Sequence, residues 1–112
     1  MSSHRIENRL CVIDAPATLA LNAPSKFKGY VLPLLERAEV EGIVINCREL
    51  QSLDSYGIGV IVSLLKSARE AGKKFALTDL SEQQRKLFQV TKLDSVIDIF
   101  DSEKAALSAL GR

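Results

Sequence analysis

Short runs of apolar residues alternate with segments of helical periodicity along this chain, and this alternation restricts the folds that it can form. Residues 43–45 are three consecutive β-branched residues, a pattern typical of a strand that is buried on both faces of a parallel sheet. Residues 56–71 carry apolar side chains at the spacing of one helix face, and Gly72 follows as a helix-terminating residue. Residues 75–77 form a second short apolar run. The succession of strand, helix and strand indicates an α/β fold with parallel strands and right-handed crossovers.

Two further strands are predicted before the buried run. Residues 6–13 and residues 18–21 are rich in apolar residues, and Asp-Ala-Pro at 14–16 separates them as a turn. Because strands joined by so short a connection usually pair with each other, we expect an antiparallel hairpin here.

A first helix is predicted after these strands, because apolar residues recur at helical spacing beyond Asn22. Asn22 or Ala23 is expected at its N-cap, and Pro24 in the first turn, where a missing N–H costs nothing. Gly29 and Pro33 are poor residues for a helix interior. We therefore expect the helix to be bent, shortened or restarted at Pro33.

The C-terminal third predicts two helices and a last strand. Ser81 and Gln84 have the spacing of a capping box that opens a helix ending near Val90. Leu93, Val96-Ile97 and Ile99-Phe100 suggest a last short strand, and Ser102 can cap a final helix. The predicted order is β-β-α-β-α-β-α-β-α, with a mixed, mostly parallel sheet of four to five strands and about four helices. We expect one domain over residues 1–112, with a core from 5 to 110.

Length and composition exclude several classes of protein. The chain has 112 residues and a formal net charge of +1, which suits one domain and gives no general attraction to nucleic acid. No run approaches the roughly 20 apolar residues that span a bilayer, and no secretory signal is visible, so we expect a cytoplasmic protein without direct membrane insertion. Cys11 and Cys47 lie in apolar runs, and His4 is the single histidine. We expect free buried thiols, no metal site and no cofactor.

The segment between the buried strand and the amphipathic helix is the best candidate site. It has the sequence Asp54-Ser55-Tyr56-Gly57-Ile58-Gly59, which places Asp54 or Ser55 at the helix N-terminus. In a structural interpretation, a side-chain oxygen caps the helix and the two glycines let it pack close to the sheet. In a functional interpretation, Ser55 is phosphorylated, since a helix N-terminus tolerates negative charge. A phosphate adds about −1.5 to −2 charges and would weaken the binding of a docked partner. The residues themselves leave both interpretations open.

The same six residues resemble the D-S-[ST]-G-[LI]-G signature of STAS domains, the family of bacterial anti-sigma factor antagonists and their relatives. Residues 43–53 before the signature are similar to the strand and loop of that family. The helix and strand of residues 60–77 and the tail of residues 87–100 also resemble it. The resemblance covers nearly the whole chain and is most convincing from residue 43 to 110.

This resemblance implies a single STAS domain that acts as a switch and is not itself an enzyme. It implies that Ser55 is phosphorylated by a partner that is both an anti-sigma factor and a serine kinase. The unphosphorylated form would bind this partner and release the sigma factor, and a PP2C-like serine phosphatase would reset the phosphorylated form. The implied partner-binding residues are Asn22, Ser25, Asp54, Ser55, Tyr56, Gly57 and Ile58.

Two other classes of function are weighed against the switch. Tyr56 stands where the family usually carries a small hydroxyl residue. It favours a constitutive interaction module, such as a subunit of an ABC lipid transporter or of a sensory assembly. An enzyme is not expected, because neither cysteine has an activating neighbour in sequence and no histidine accompanies a nucleophile. Gly57 and Gly59 alone lack the further residues of a dinucleotide or phosphate-binding loop.

Overall fold

The β-branched run at residues 43–45 forms the centre of the sheet in the computed structural model, which describes residues 3–111. The strands are β1 (His4–Glu7), β2 (Leu10–Asp14), β3 (Thr18–Leu19), β4 (Gly42–Asn46), β5 (Ser52–Leu53), β6 (Lys74–Thr78) and β7 (Asp98–Phe100). Five of them form one sheet in the order β1-β2-β4-β6-β7, in which only the β1–β2 pair is antiparallel. The prediction of a mixed, mostly parallel sheet is confirmed.

Within residues 3–111, four α-helices cover the sheet on both faces, as the continuous apolar run at its centre requires. They are α1 (Ala23–Leu35), α2 (Ser55–Glu70), α3 (Glu82–Val90) and α4 (Glu103–Leu110). Successive residues of a strand point to opposite faces. Ile43 and Ile45 therefore pack into the larger core with α1, α2 and α3, while Val44 packs against Val12 and Ala106 of α4.

The antiparallel hairpin lies earlier in the chain than predicted. The predicted strand at residues 6–13 is two strands, β1 and β2, joined by a tight turn at Asn8 and Arg9. Both turn residues have positive φ, 52° and 67°, which is the backbone of a turn that suits the twist of paired strands. The turn was missed because it contains no glycine.

The predicted pairing of residues 18–21 with the first strand was wrong. Only Thr18–Leu19 is extended, and β3 pairs in parallel with β5 in a separate two-stranded sheet. The Asp-Ala-Pro segment does not reverse the chain into a hairpin. The Ala15 N–H instead donates to the Asn46 carbonyl, 2.9 Å away, so that the chain continues alongside β4.

Helix α1 runs through Pro33 and ends two residues later at Leu35. Of the three predicted effects of Pro33, which were bending, shortening and restart, the restart does not occur. Pro24 lies in the first turn as predicted. A proline disturbs the carbonyl four residues before it, which here is that of Gly29. Both Gly29 and Pro33 are exposed, so the affected carbonyl is on the solvent side, where water can bind it.

The predicted caps of the later helices are confirmed. Gln84 N–H donates to Ser81 Oγ at 3.1 Å, and Ser81 N–H donates to Gln84 Oε1 at 3.0 Å, which completes the capping box of α3. Ser102 caps α4, and Gly72 follows α2 with φ of 70°. The last strand is shorter than expected, because a 3-10 turn at Leu93–Ser95 precedes β7.

Within residues 3–111, no helix combines the length and the apolar character that a membrane crossing requires.

Candidate functional site

Asp54 begins helix α2, and its carboxylate is the centre of the candidate site. Its backbone is extended, and Oδ1 accepts hydrogen bonds from the N–H groups of Tyr56, at 3.0 Å, and Gly57, at 3.1 Å. These two N–H groups have no partner within the helix, and an N-cap side chain satisfies such groups. Of the two capping residues that the sequence allowed, Asp54 therefore takes the role, and the Ser55 hydroxyl is not used for it.

The second carboxylate oxygen of Asp54 reaches a different segment of the chain. Oδ2 accepts a hydrogen bond at 3.1 Å from the N–H of Leu21, which lies between β3 and α1. This bond and those from Gly57 and Tyr56 lower the pKa of the Asp54 carboxyl below its ordinary value. Asp54 thus stays ionised at neutral pH and connects the beginnings of α1 and α2.

Gly57 is buried at the point where α2 approaches β3. A Cβ on this residue would lie 2.1 Å from the Leu19 carbonyl oxygen and 2.7 Å from Leu53 Cδ1. No side chain fits there, so glycine is what allows the start of α2 to rest on β3. Gly59 was predicted to serve the same purpose, but that prediction was wrong, because nothing lies within 4 Å of its Cβ position.

Ser55 and Tyr56 form the exposed edge of the site. Ser55 is the first residue of α2, and no hydrogen bond joins its hydroxyl to another residue in the described part of the chain. The side chain of Tyr56 is also directed to solvent, with 67% of the residue exposed. Ile58 is half-buried one residue beyond Gly57. Ser55 and Tyr56 are therefore open to a partner, whereas Gly57 can act only through the backbone position that it permits.

Asn22 and Ser25 lie at the start of α1 and are both exposed. Asn22 occupies the N-cap position as predicted, but its backbone is helical, with φ of −88° and ψ of −15°, and its side chain makes no cap hydrogen bond. The hydrogen bond from Leu21 to Asp54 brings this end of α1 alongside the start of α2. The structure thus places the start of α1, with Asn22 and Ser25, next to the start of α2.

Leu21 is a residue of the site that the sequence did not indicate. It is 77% exposed and has a positive φ of 56°, a conformation that few residues other than glycine adopt. In the sequence it follows Leu19 as an ordinary apolar residue of a predicted strand. No pattern in the sequence distinguishes an exposed, left-handed leucine from a buried one.

A cleft of about 730 Å³ adjoins the site between β5 and the start of α3. It is lined by Ala20, Leu50, Gln51, Ser52, Leu53, Asp54, Ser81, Gln83, Gln84 and Leu87. The buried amide of Gln84 holds one wall in place, since its Nε2 donates to the Leu50 carbonyl at 2.8 Å. Asp54 is the single ionisable side chain in this lining. The cleft therefore lacks a cation that could bind an anionic ligand.

The described residues offer no assembly of catalytic or metal-binding groups at this site. No group of three or more histidine, cysteine, aspartate or glutamate side chains within residues 3–111 is arranged to hold a metal ion. Cys11 and Cys47 are free and buried, as expected. Burial raises the pKa of Cys47 to about 12, so its thiol is unreactive at neutral pH. The arrangement presents an exposed hydroxyl at the start of α2.

Comparisons with known proteins agree with the fold. The sequence model of the STAS domain family matches residues 3–106. A Thermotoga maritima protein that is provisionally named an anti-sigma factor antagonist is 26% identical over 112 residues, which cover 100% of this chain and 99% of that protein. The anti-sigma F factor antagonist of Paenibacillus polymyxa is 32% identical over 76 residues, 68% of this chain and 65% of that protein. A crystal structure from Thermotoga maritima with the same provisional name has a TM-score of 0.89 at 27% identity, and covers 98% of this chain and 94% of that chain.

Proposed function

This chain belongs to the STAS domain family, and we propose that it acts as an anti-sigma factor antagonist whose binding is controlled by phosphorylation of Ser55. The unphosphorylated protein binds an anti-sigma factor and thereby releases a sigma factor. The names of the relatives from Thermotoga maritima and Paenibacillus polymyxa support this class of partner. The circuit operates in the cytoplasm, where bacterial transcription takes place.

The observation that carries the proposal is the environment of the Ser55 hydroxyl. It is exposed at the first position of α2, and Asp54 performs the capping that a serine could otherwise perform. A kinase can therefore reach the hydroxyl without unfolding the helix. The N-terminus of α2 tolerates the added charge because its N–H groups and dipole favour anions. The fold survives phosphorylation, and the change is confined to the surface.

Phosphorylation weakens binding through charge. A phosphate adds about −1.5 to −2 charges beside the ionised Asp54, on a surface that carries the exposed ring of Tyr56. A partner docked there would have to desolvate the phosphate without a matching cation, which is unfavourable. We propose that the kinase is the anti-sigma factor itself, with ATP bound by that partner, and that a PP2C-like serine phosphatase reverses the reaction.

The test combines the purified protein with each anti-sigma factor kinase of the source organism, with and without ATP. Fragmentation mass spectrometry locates the phosphate, and titration calorimetry measures binding. Ser55→Ala should bind in both conditions, and Ser55→Asp should bind weakly. Ala105→Asp is the matched control, because it adds a negative charge to the first turn of α4, on the other face of the sheet. Phosphate at another residue, or release of Ser55→Ala by ATP, would contradict the proposal.

The exposed Tyr56 supports one alternative, a constitutive interaction module in a transporter or a sensory assembly. An aromatic ring that is 67% exposed can anchor a permanent partner without any phosphate. In the same experiment this alternative predicts no phosphate on Ser55 and no binding to any of the anti-sigma factors.

A further inference from the structure

We propose that Leu21 and Tyr56 together form a two-residue apolar anchor for the anti-sigma factor, and that Asp54 is the positioning residue that holds them side by side. This inference rests on the proposed function and specifies how the surface around Ser55 recognises its partner. The occupant is an anti-sigma factor that presents apolar pockets for a leucine and a tyrosine side chain.

The first argument is the bridging of the two residues by one carboxylate. Leu21 N–H donates to Asp54 Oδ2 at 3.1 Å, and Tyr56 N–H donates to Asp54 Oδ1 at 3.0 Å. Although the two residues are far apart in sequence, their backbones therefore lie on either side of a single ionised group. The hydrogen bonds hold the backbones of two residues with large, exposed side chains at the same carboxylate.

The second argument is exposure. Leu21 is 77% exposed and Tyr56 is 67% exposed, so neither side chain contributes much to the core. Single exposed apolar residues are common on proteins and need no explanation. A pair whose backbones are held by one shared carboxylate indicates an interaction surface. Tyrosine is enriched among the residues that dominate the affinity of protein interfaces, and the exposed leucine adds apolar area that a partner can bury.

The third argument is the backbone of Leu21. Its φ of 56° is unfavourable for a leucine, and the side chain is not buried in compensation. Two hydrogen bonds retain the conformation: the bond to Asp54, and that from the Ala23 N–H to the Ala20 carbonyl at 3.1 Å across the turn. The turn therefore directs Leu21 outwards at the expense of local stability, as is common at functional surfaces.

The anchor also explains why a single phosphate would be sufficient to switch binding. Ser55 lies between the residue that positions both side chains and the residue that supplies one of them. A phosphate there would add about −1.5 to −2 charges beside Tyr56 and beside the carboxylate that holds Leu21. The partner could then not cover Tyr56 and Leu21 without also burying that charge.

The experiment measures binding to the anti-sigma factor identified above by titration calorimetry, with thermal unfolding recorded for each variant. Leu21→Ala and Tyr56→Ala should each weaken binding about tenfold or more, as expected for anchor residues. Val90→Ala is the matched control, because Val90 is 80% exposed at the end of α3, and it should bind like the wild type.

Asp54→Asn tests the positioning role separately from the cap. The remaining carbonyl oxygen can still accept from Tyr56 and Gly57, but the new NH₂ group cannot accept from the Leu21 N–H. Binding should fall, and amide hydrogen exchange at Leu21 should rise. In the double variant, Asp54→Asn should weaken binding little beyond the effect of Leu21→Ala alone. Both changes remove the contact between the Leu21 side chain and the partner.

The outcomes separate this inference from the proposed function. If the wild type binds and Ser55→Asp does not, but Leu21→Ala and Tyr56→Ala bind like the wild type, the anchor is overturned and the switch stands. If the losses from Asp54→Asn and Leu21→Ala are additive, the positioning role of Asp54 is overturned. If the wild type binds none of the anti-sigma factors, the proposed function fails and the anchor, as assigned to that partner, fails with it.

Discussion

The two glycines at the start of α2 provide the sharpest test of the packing, because substitution by alanine should change stability in opposite directions. At Gly57, the added Cβ would lie 2.1 Å from the Leu19 carbonyl oxygen, which belongs to the backbone of β3 and cannot rotate away. At Gly59, two residues along the same helix, nothing lies within 4 Å of the added atom. Both substitutions are Gly→Ala in one helix, so each controls for the other.

The magnitude follows from the space at each position. To relieve the contact at Gly57, the start of α2 and β3 must separate by about 1 Å, and overpacking of this kind costs roughly 1–3 kcal/mol. A contact of 2.1 Å with backbone belongs at the upper end of that range, about 3 kcal/mol. The better helix propensity of alanine returns up to about 1 kcal/mol, so we expect a net loss of about 2 kcal/mol. At Gly59 the propensity acts alone, and we expect a gain of about 0.5–1 kcal/mol.

Urea unfolding of the wild type and the two variants measures the differences in the free energy of unfolding, provided that the slope m with denaturant concentration is the same for all three. In thermal unfolding, Gly57→Ala should melt lower by about 8 °C and Gly59→Ala higher by about 3 °C, at roughly 4 °C per kcal/mol for a domain of this size. If both variants shift in the same direction, or if Gly57→Ala is as stable as the wild type, the close approach of α2 to β3 does not exist as described.

Three further predictions concern the loop, the cleft and the pH dependence. Leu21→Gly should stabilise the fold by about 1 kcal/mol in urea unfolding, because glycine adopts the positive φ without strain. Its binding to the anti-sigma factor should fall. A variant less stable than the wild type would contradict this prediction. Gln84→Ala should lower the free energy of unfolding in urea by about 1–3 kcal/mol, because it removes the capping box and leaves the Leu50 carbonyl without its donor. Gln83 is exposed, and Gln83→Ala should leave the stability nearly unchanged. The lowered pKa of Asp54 stabilises the fold above the ordinary value of 3.8, and this contribution is lost as the pH falls through the lower folded value. The stability difference between the wild type and Asp54→Asn, measured by urea unfolding from pH 7 to pH 2, should therefore shrink in acid; a constant difference would exclude the carboxylate as its source.

Several elements of the fold could be predicted because their causes are local. Three adjacent β-branched residues predicted the central strand, and the spacing of Ser81 and Gln84 predicted a capping box that the structure contains. Apolar periodicity predicted that α2 would extend over most of residues 55–70. In each case the residues that determine the structure are within a few positions of one another. The succession of these elements was then sufficient to predict a mostly parallel sheet.

The errors in the prediction have a different origin. The hairpin turn at Asn8 and Arg9 uses residues that tolerate positive φ less readily than glycine, so its sequence is not distinctive. Pro33 was expected to bend, shorten or restart α1, and the restart does not occur. The effect of Pro33 depends on whether the disturbed carbonyl is on the solvent side, which a sequence does not state. The pairing of β3 with β5 joins strands of two residues each, too short to have a recognisable pattern.

For the candidate site, the sequence alone determined that Asp54 and Ser55 stand at the start of a helix, with both a structural and a functional interpretation available. The local pattern left the choice between them open, and only the structure decided it, because Asp54 caps the helix and also accepts from the N–H of the distant Leu21. It also distinguished Gly57, which lies against β3, from Gly59, which does not, and it brought Leu21 to Asp54, 33 positions further along the chain. The physical reason is that helix propensity and capping act between neighbours in the chain. Steric fit and hydrogen bonds between distant segments exist only once the chain has folded.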